Sequence, residues 1–134
     1  MENSRFKFRA WDKTENAYIE DAQFTYDDGC EGGLGSFRHY SFRDLLEDKN
    51  CIVEQCTGLK DKNGKLIYEG DIVKDDIGMI APVCFDEVNA MFYIDRYIGV
   101  YNYPFAYFYH YDSEEELEVI GNIHENADLL ENEK

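Results

Sequence analysis

The chain opens with an alternation of charged and apolar side chains. In residues 5–11, Arg-Phe-Lys-Phe-Arg-Ala-Trp, the charged side chains share one parity and Phe6, Phe8 and Ala10 share the other, while Trp11 ends the segment on the charged parity. This is the pattern of a β-strand with one solvent-facing side and one buried side. Residues 12–16 are polar and turn-like, and 18–26 form a second, less regular strand candidate. The two segments therefore predict an N-terminal β-hairpin.

A glycine-rich loop and a short helix are predicted next. Residues 27–36 hold four glycines in ten positions but match neither Gly-x-x-x-x-Gly-Lys-Ser/Thr nor Gly-x-Gly-x-x-Gly, so we interpret them as a connector and not a phosphate-binding loop. Ser41 can cap a helix over 42–48, in which Phe42, Leu45 and Leu46 share one face.

The rest of the chain has the pattern of short strands separated by turn residues. The candidate strands are 51–59, 66–73, 78–86, 88–95 and 117–124. An Asn63-Gly64 turn follows the first, and within 66–73 the step at 70–73 turns the chain into a further strand. A helical turn over 126–133, capped by Asn126 and docked through Leu129 and Leu130, follows. We therefore predict one domain over 1–134 that is mainly β, α+β at most. It has antiparallel sheets, one or two short helices, a hairpin, loop and helix over 1–50, and a small SH3-like, barrel-like part over 51–134.

The net charge of the chain limits the classes of partner that it can bind. The 134 residues include 13 Lys and Arg against 29 Asp and Glu, a formal net charge of −16 at pH 7. Affinity for a nucleic-acid backbone depends on basic side chains, and an anionic membrane surface attracts them too. We therefore expect no direct nucleic-acid partner and no membrane partner.

The sequence also indicates a cytoplasmic protein. It contains no apolar run long enough to span a membrane, and no apolar segment follows the first residues as in a secretory signal. In the cytosol we expect the four cysteines to stay reduced. They are Cys30, Cys51, Cys56 and Cys84.

Three blocks of sequence carry a family resemblance. They are 7–12 (KFRAWD), 55–73 (QCTGLKDKNGKLIYEGDIV) and 118–126 (EVIGNIHEN), the last followed by Leu129 and Leu130. In these blocks the chain resembles the YopX family of small phage and prophage proteins. The resemblance implies a phage or prophage origin, a bacterial host cytosol and a mostly β fold, and it implies no catalytic or cofactor-binding residues. The chain departs from the family at Cys56, where an aromatic residue is common, and in the unusually aromatic insert over 97–111.

No residue pattern points to a metal, cofactor or catalytic site. Zinc ligands usually come in pairs two to four residues apart, whereas Cys51 and Cys56 are five apart on a predicted strand and so face opposite sides. The histidines, His39, His110 and His124, are isolated in sequence, and we interpret them as incidental. Cys84 could join a distant histidine as a nucleophile, but in its strand it is more simply a small apolar residue.

Acidic clusters give no more definite chemistry. The loop that begins at Asp61 has its glycine fourth, not sixth as in an EF-hand, so we predict a turn there. The dense clusters over 27–28 and 114–116 lie in polar surroundings, where carboxyl pKa values are not shifted by burial, and we interpret both as solvated faces.

The aromatic segment is the strongest departure from average composition. Ten of the 21 aromatic residues lie between Phe92 and Tyr111. Pro104 argues against a central strand there, so an edge strand or a bulged hairpin is expected. These rings either cover the sheet or form an interface, since tyrosine is frequent in binding hot spots. The interface candidates are Tyr97, Tyr101, Tyr103, Phe105, Tyr107, Tyr109 and Tyr111.

The sequence therefore favours a non-enzymatic phage or prophage accessory protein that binds protein, either its own copies or a host factor. One alternative is an acidic DNA mimic that inhibits a host DNA-binding protein. Another is a small hydrolase, which would gather Cys84 or a histidine with carboxylates in a pocket. No Lys or Arg occurs from 97 to 133, so the basic residues lie towards the start of the chain and its last third is acidic. This asymmetry makes contact between unlike ends of two copies a testable hypothesis.

Overall fold

Nine strands form two antiparallel sheets in the part of the chain that the structure describes. The structure is a computed structural model that describes residues 3–25, 41–95 and 112–131, and the backbone of 106–107. The strands are β1 (Phe8–Asp12), β2 (Ala17–Ile19), β3 (Cys51–Lys60), β4 (Leu66–Tyr68), β5 (Asp71–Lys74), β6 (Ile80–Asp86), β7 (Met91–Ile94), β8 (Ala106–Tyr107) and β9 (Glu118–Asn122). The mainly β, antiparallel fold predicted from the sequence is confirmed.

The first sheet has the order β2-β1-β3-β4 and contains the predicted N-terminal hairpin. In it, Ala10 lies opposite Ile19 of β2 and Val53 of β3. The predicted bounds were wrong at both outer ends, because Ser4–Phe6 and Ala22–Phe24 are 3-10 helices. The second strand stops early because Asp21 has a left-handed backbone, with φ of 49°, which an extended strand cannot contain.

The second sheet has the order β8-β7-β6-β5-β9 and curls into a half-barrel, so the barrel-like part is confirmed. Its predicted start at residue 51 was wrong, because β3 and β4 pair with the N-terminal hairpin in the first sheet. The pairing of β5 with β9 shifts register between Ile72 and Val73. Such irregularities bend a strand and increase its twist, which favours curvature. Within the described residues β8 is the edge strand of this sheet, in agreement with the edge position expected for the aromatic segment.

Three short α-helices accompany the sheets in the described ranges: α1 (Phe42–Glu47), α2 (Ser113–Glu116) and α3 (Asp128–Glu131). The cap of α1 is as predicted, since the Ser41 side chain accepts a hydrogen bond from the Asp44 amide at 3.3 Å. Helix α2 was not predicted, because its four residues lack an apolar stripe. Near α3, the Asn126 side-chain oxygen accepts from the Asn122 amide at 3.1 Å, so it binds back to the strand.

Two apolar clusters lie on these sheets. One combines Ile67 of β4, in the first sheet, with residues of the half-barrel and with Leu117; its half-barrel members are Val73, Ala81, Val83 and Ile94. The other lies under the N-terminal sheet and α1 and consists of Ala10, Ala22, Leu45 and Cys51. No helix in the described ranges has the length and apolar character needed to cross a membrane.

Candidate functional site

A cluster of buried polar and charged side chains joins the first sheet to the second. We call the charged residues Arg9, Glu54 and Asp71, together with His124 and the rings of Trp11, Tyr18 and Tyr68, the buried charge cluster. Arg9 lies on the side of β1 that the alternation predicts to be wet, yet it is only 6% exposed. The prediction was wrong on this point because the rings of Tyr18 and Tyr68 and the Asp71 carboxylate of the second sheet cover the Arg9 guanidinium.

The Arg9 guanidinium is held by two carboxylates. Its Nε donates to Glu54 Oε1 at 2.9 Å, and its Nη2 donates to Asp71 Oδ1 at 2.7 Å. The Glu69 backbone oxygen accepts a further bond from Nη2 at 3.3 Å. The guanidinium carbon also lies 4.2 Å from the Tyr18 ring centre and 4.7 Å from that of Tyr68. Both rings therefore add cation–π attraction.

Glu54 is the centre of the cluster. It is 2% exposed, and its Oε1 accepts from the Tyr18 hydroxyl at 3.0 Å as well as from Arg9. Its Oε2 lies 2.8 Å from His124 Nε2. Three side chains from separate segments thus converge on one carboxylate.

Asp71, the first residue of β5, ties the second sheet to Arg9. It is 1% exposed, and its Oδ2 accepts the Tyr68 amide at 2.8 Å. The same carboxylate therefore closes the short turn between β4 and β5 and pairs with the guanidinium.

His124 belongs to the cluster and is not isolated, which corrects the interpretation of this histidine as incidental. Its ring stacks on Trp11 with centres 4.9 Å apart and planes 4° apart. The Tyr18 ring meets both of them edge-on, at 5.0 Å from Trp11 and 5.9 Å from His124. The side chain of His124 is 10% exposed. The other two histidines, His39 and His110, lie outside the described residues.

Gly70 allows this packing. Its φ is +87°, and a Cβ at this position would lie closer than 3.0 Å to both carboxylate oxygens of Glu54. Its amide donates to the Val83 oxygen at 2.8 Å, and its own oxygen accepts from Ile123 at 2.9 Å. A residue without a side chain is therefore required where β5 enters the sheet beside the carboxylate.

Burial and charge act against each other in the cluster. Burial lowers the pKa of Arg9, but the charges of Asp71 and Glu54 outweigh it, so the net shift is upward. Burial raises the pKa of Asp71, and the Arg9 guanidinium offsets only part of that effect. Burial and the neighbouring Glu54 charge raise the pKa of Tyr18, which stays a neutral hydrogen-bond donor. The Arg9 guanidinium therefore stays positively charged and stabilises the neighbouring carboxylates of Glu54 and Asp71.

The cluster is suited to holding two sheets together. No buried side-chain nitrogen or oxygen within the described residues lacks a hydrogen-bond partner. The His124–Glu54 pair is a histidine beside a carboxylate, as the hydrolase alternative requires, but Nε2 already contacts that carboxylate and the ring is stacked on Trp11. Removing one partner of a buried ion pair such as Arg9–Asp71 typically costs about 3–5 kcal/mol, because the other charge is left without compensation.

The described cysteines have the environment of apolar side chains. Cys51 and Cys56 are buried, and Cys84 is half-buried. Burial and the negative charge of Asp95 raise the pKa of Cys84 to about 11, so its thiol is not activated. Within the described ranges no three His, Cys, Asp or Glu side chains gather as metal ligands would. Cys30 lies outside those ranges.

The two acidic features behave differently. Asp61 is 2% exposed, and its carboxylate accepts the amides of Asn63, Lys65 and Val119, each within 2.9 Å. The loop is thus a turn organised by an aspartate, as predicted. In α2, Glu114 and Glu115 are exposed. The acidic pair over 27–28 lies outside the described residues.

Most of the predicted interface residues lie outside the described residues, namely Tyr97, Tyr101, Tyr103, Phe105, Tyr109 and Tyr111. The backbone of Tyr107 is described, in β8 opposite Tyr93 of β7. Next to it, the β6–β7 hairpin carries exposed apolar side chains, with Val88 91% exposed at the turn and Phe85 and Met91 each 37% exposed. We call these three residues the hairpin tip.

No motif or spacing in the sequence identifies Arg9, Glu54 or Asp71 as site residues. One signal for them was present, since Glu54 and Asp71 are single charges within or beside apolar strand segments. The three blocks that carry the family resemblance also supply most of the cluster: 7–12 supply Arg9 and Trp11, 55–73 supply Tyr68 and Asp71, and 118–126 supply His124. Five of the seven residues of the buried charge cluster thus lie in these blocks, whereas Glu54 and Tyr18 lie outside them.

Comparisons with known proteins agree with this architecture. A family model described as YopX protein matches residues 7–131. Among solved structures, the chain is similar to protein EF1440 from Enterococcus faecalis, known from a crystal structure. The two share 26% sequence identity with a TM-score of 0.60, over 92% of this chain and 96% of that chain. A search of curated proteins found no match.

Proposed function

This chain belongs to the YopX protein family, and from that premise we propose that it is a non-enzymatic accessory protein of a phage or prophage that acts by binding another protein. The partner is a second copy of the chain or a host factor. The observation that carries the proposal is the exposed hairpin tip; β7 of this hairpin also pairs with β8, the strand that contains one of the predicted interface tyrosines.

The hairpin tip has the exposure expected of a contact surface. Val88 is almost fully exposed at the turn, and Phe85 and Met91 lie next to the turn on opposite faces of the paired strands. The Phe85 ring is supported by Phe92, with centres 5.0 Å apart. Single exposed apolar residues are ordinary, but neighbouring ones around a supported turn favour binding. Aromatic side chains and Met are also enriched at protein interfaces.

The buried charge cluster supports a non-enzymatic role. Its carboxylates are already occupied by Arg9, Tyr18 and the Tyr68 amide. A group that abstracts a proton needs access to a substrate, whereas these groups face each other. The acidity of the chain, with a net charge of −16, supports a protein partner over nucleic acid.

Affinity capture from host lysate with matched variants tests the proposal. The hairpin variant carries Val88→Ser and Met91→Ser, and a second variant replaces Tyr101, Tyr103 and Phe105 by Ser. The control is Ile77→Ser, which removes a side chain of 74% exposure from a different turn. We expect the first two variants to lose the captured protein and the control to keep it. Capture of the same proteins by all four chains would refute the proposal.

The salt dependence of binding distinguishes this proposal from DNA mimicry. A contact made by apolar and aromatic side chains persists at about 0.5 M salt, where the Debye length is only a few Å. A mimic binds through electrostatic complementarity and is released under the same conditions. Loss of the partner at high salt would therefore favour the acidic mimic.

A further inference from the structure

A cavity lies where the two sheets meet, beside the buried charge cluster. Its volume is about 480 Å³, and β1, β2, β4 and β9 each contribute to its lining. Arg9 and Asp71 belong both to this lining and to the cluster. Lys65, Glu20 and Glu125 line the cavity at its exposed rim. Small-molecule sites typically have volumes of about 300–1,000 Å³, so the size is suitable for a ligand. We call this the inter-sheet cavity.

One nitrogen of the Arg9 guanidinium is left for a ligand. Nε and Nη2 donate to Glu54, Asp71 and the Glu69 backbone oxygen, whereas Nη1 has no partner among the described residues. No fully buried side-chain nitrogen in the described ranges lacks a hydrogen-bond partner, so Nη1 must reach solvent-accessible space. Arg9 lines the inter-sheet cavity and is only 6% exposed overall. A buried cation with unused N–H groups thus faces the cavity, where a carboxylate would satisfy them.

Two more groups in the lining favour a carboxylate. Lys65 is exposed, and its side chain makes no hydrogen bond or ion pair within the described residues. Its charge acts near the guanidinium: burial raises the pKa of Asp71, and Lys65 is among the cations that oppose this rise. Burial, with smaller contributions from Cys56 and Glu20, raises the pKa of Tyr68 to about 12, so its hydroxyl stays neutral and able to donate. Both side chains therefore add donors to the cavity.

The rim of the cavity also carries negative charge. Glu20 and Glu125 line it and are exposed. The Asn122 side-chain amide donates to Glu125 Oε1 at 3.2 Å, which holds this carboxylate at the end of β9. An anion would be attracted by Arg9 but repelled by the two glutamates, and a cation would be repelled by the guanidinium. A molecule that carries both charges complements both sets of groups.

We infer that the inter-sheet cavity binds a small zwitterion of the amino-acid class, with its carboxylate on Arg9 Nη1 and Lys65 and its ammonium group towards Glu20 and Glu125. The half-buried Leu66 in the lining offers an apolar contact to the side chain of the ligand. This site is separate from the hairpin tip, and the inference goes beyond the proposed function without depending on it.

Isothermal titration calorimetry of the full chain tests the inference, with leucine and phenylalanine as probes at up to millimolar concentrations. The matched ligands are isocaproate, which is leucine without its ammonium group, and isoamylamine, which is leucine without its carboxylate. We expect leucine to bind at least about tenfold more tightly than either, because each analogue leaves one set of charges unpaired. The backbone amide signals of Gly64 and Gly121, which line the cavity, should shift when leucine binds.

Substitutions at the rim avoid the destabilisation expected of changes at Arg9. Lys65→Met should weaken leucine binding by about threefold or more, whereas Lys74→Met, the same change at an exposed site of β5 outside the lining, should not. Glu20→Gln should weaken the binding of leucine but strengthen that of isocaproate, because it removes a repulsion from the anion. Glu15→Gln, at an exposed site in the β1–β2 turn, is its control. A mere loss of stability would not move the two affinities in opposite directions.

The inference is wrong if neither amino acid binds at millimolar concentration or if Lys65→Met binds leucine as tightly as its control does. It is also wrong if isocaproate binds as tightly as leucine, which would indicate a site for anions only. None of these outcomes decides the proposed function, since a host protein that wild type captures and the hairpin variant loses would support that proposal in every case.

Discussion

The buried charge cluster makes Arg9 the most informative residue to change. Arg9→Met keeps most of the aliphatic length but removes the guanidinium. Glu54, 2% exposed, then keeps only Tyr18 and His124, and Asp71, 1% exposed, keeps only the Tyr68 amide. Two carboxylates are left in the interior without their cation.

Removal of one partner from a buried ion pair costs about 3–5 kcal/mol, against a total unfolding free energy of about 5–15 kcal/mol for a domain. For a chain of this size the melting temperature should fall by about 10–20 °C. Asp71→Asn added to Arg9→Met should recover about 1–3 kcal/mol, because it removes one of the uncompensated charges without changing the shape of the side chain.

The pH dependence identifies the cause. Burial raises the pKa of Asp71, and Arg9 opposes that rise. Without Arg9 the pKa of Asp71 rises further, so the folded variant holds a proton more strongly than the unfolded chain does. Its stability relative to wild type should therefore be worst at neutral pH and should recover as the pH falls towards 3.8, the ordinary value for Asp.

Urea unfolding followed by circular dichroism measures these differences between pH 5 and 8, a range of about three units over which buried carboxyl groups titrate. The matched control is Arg43→Met, which breaks an exposed pair with Glu47 of 3.2 Å and should change stability by less than about 0.5 kcal/mol. A loss below about 1 kcal/mol for Arg9→Met, or a loss that does not depend on pH, would refute our account of the cluster.

Three further predictions concern single sites. Gly70→Ala should lower the unfolding free energy by more than about 2 kcal/mol, because the new Cβ would displace the Glu54 carboxylate. Gly64→Ala is the control: its φ is +82° but no atom lies within 4 Å of the new Cβ, so it should cost only about 1 kcal/mol. Equal losses of the two variants in urea unfolding would contradict this prediction. Alkylation of Cys84, followed by peptide mass spectrometry, should be slow at neutral pH and accelerate until the pH reaches about 11, its pKa; rapid labelling at neutral pH would show an activated thiol. Tyr18→Phe should keep the ring contacts but lose the bond to Glu54, for a cost of about 1–3 kcal/mol in thermal unfolding, and an unchanged melting temperature would mean that the hydroxyl contributes nothing.

The sequence predicted secondary-structure elements correctly where the interactions of neighbouring residues determine them. Ser41 caps α1 because its hydroxyl reaches an amide three residues away, and the Asn63-Gly64 turn forms because glycine adopts the positive φ that the turn needs. The second strand was predicted too long because an irregular apolar pattern does not reveal the left-handed backbone of Asp21. Helix α2 was missed because four polar residues contain no periodic signal.

The candidate site was predictable only in part. The hydrophobic segments and the family blocks pointed to a β-rich protein with a barrel-like second half, and the histidine of the third block was noted but interpreted as incidental. No spacing rule links Arg9 to Glu54 and Asp71, because the three lie on strands 45 and 62 residues apart along the chain. Such convergence depends on the pairing of sheets.

By itself, the sequence determined that this chain forms an acidic, antiparallel β protein, since alternation, turn residues and net charge are properties of neighbouring positions and of composition. The alternation at 5–11 also determined that part of it is a strand, but not which side of that strand meets water. The tertiary structure decided that, because the half-barrel covers the charged side of β1 and offers Asp71 and His124 to a guanidinium and a carboxylate that would otherwise be solvated. Whether a charged side chain is on the surface or joins two sheets depends on what packs over it, and that is a property of the whole fold.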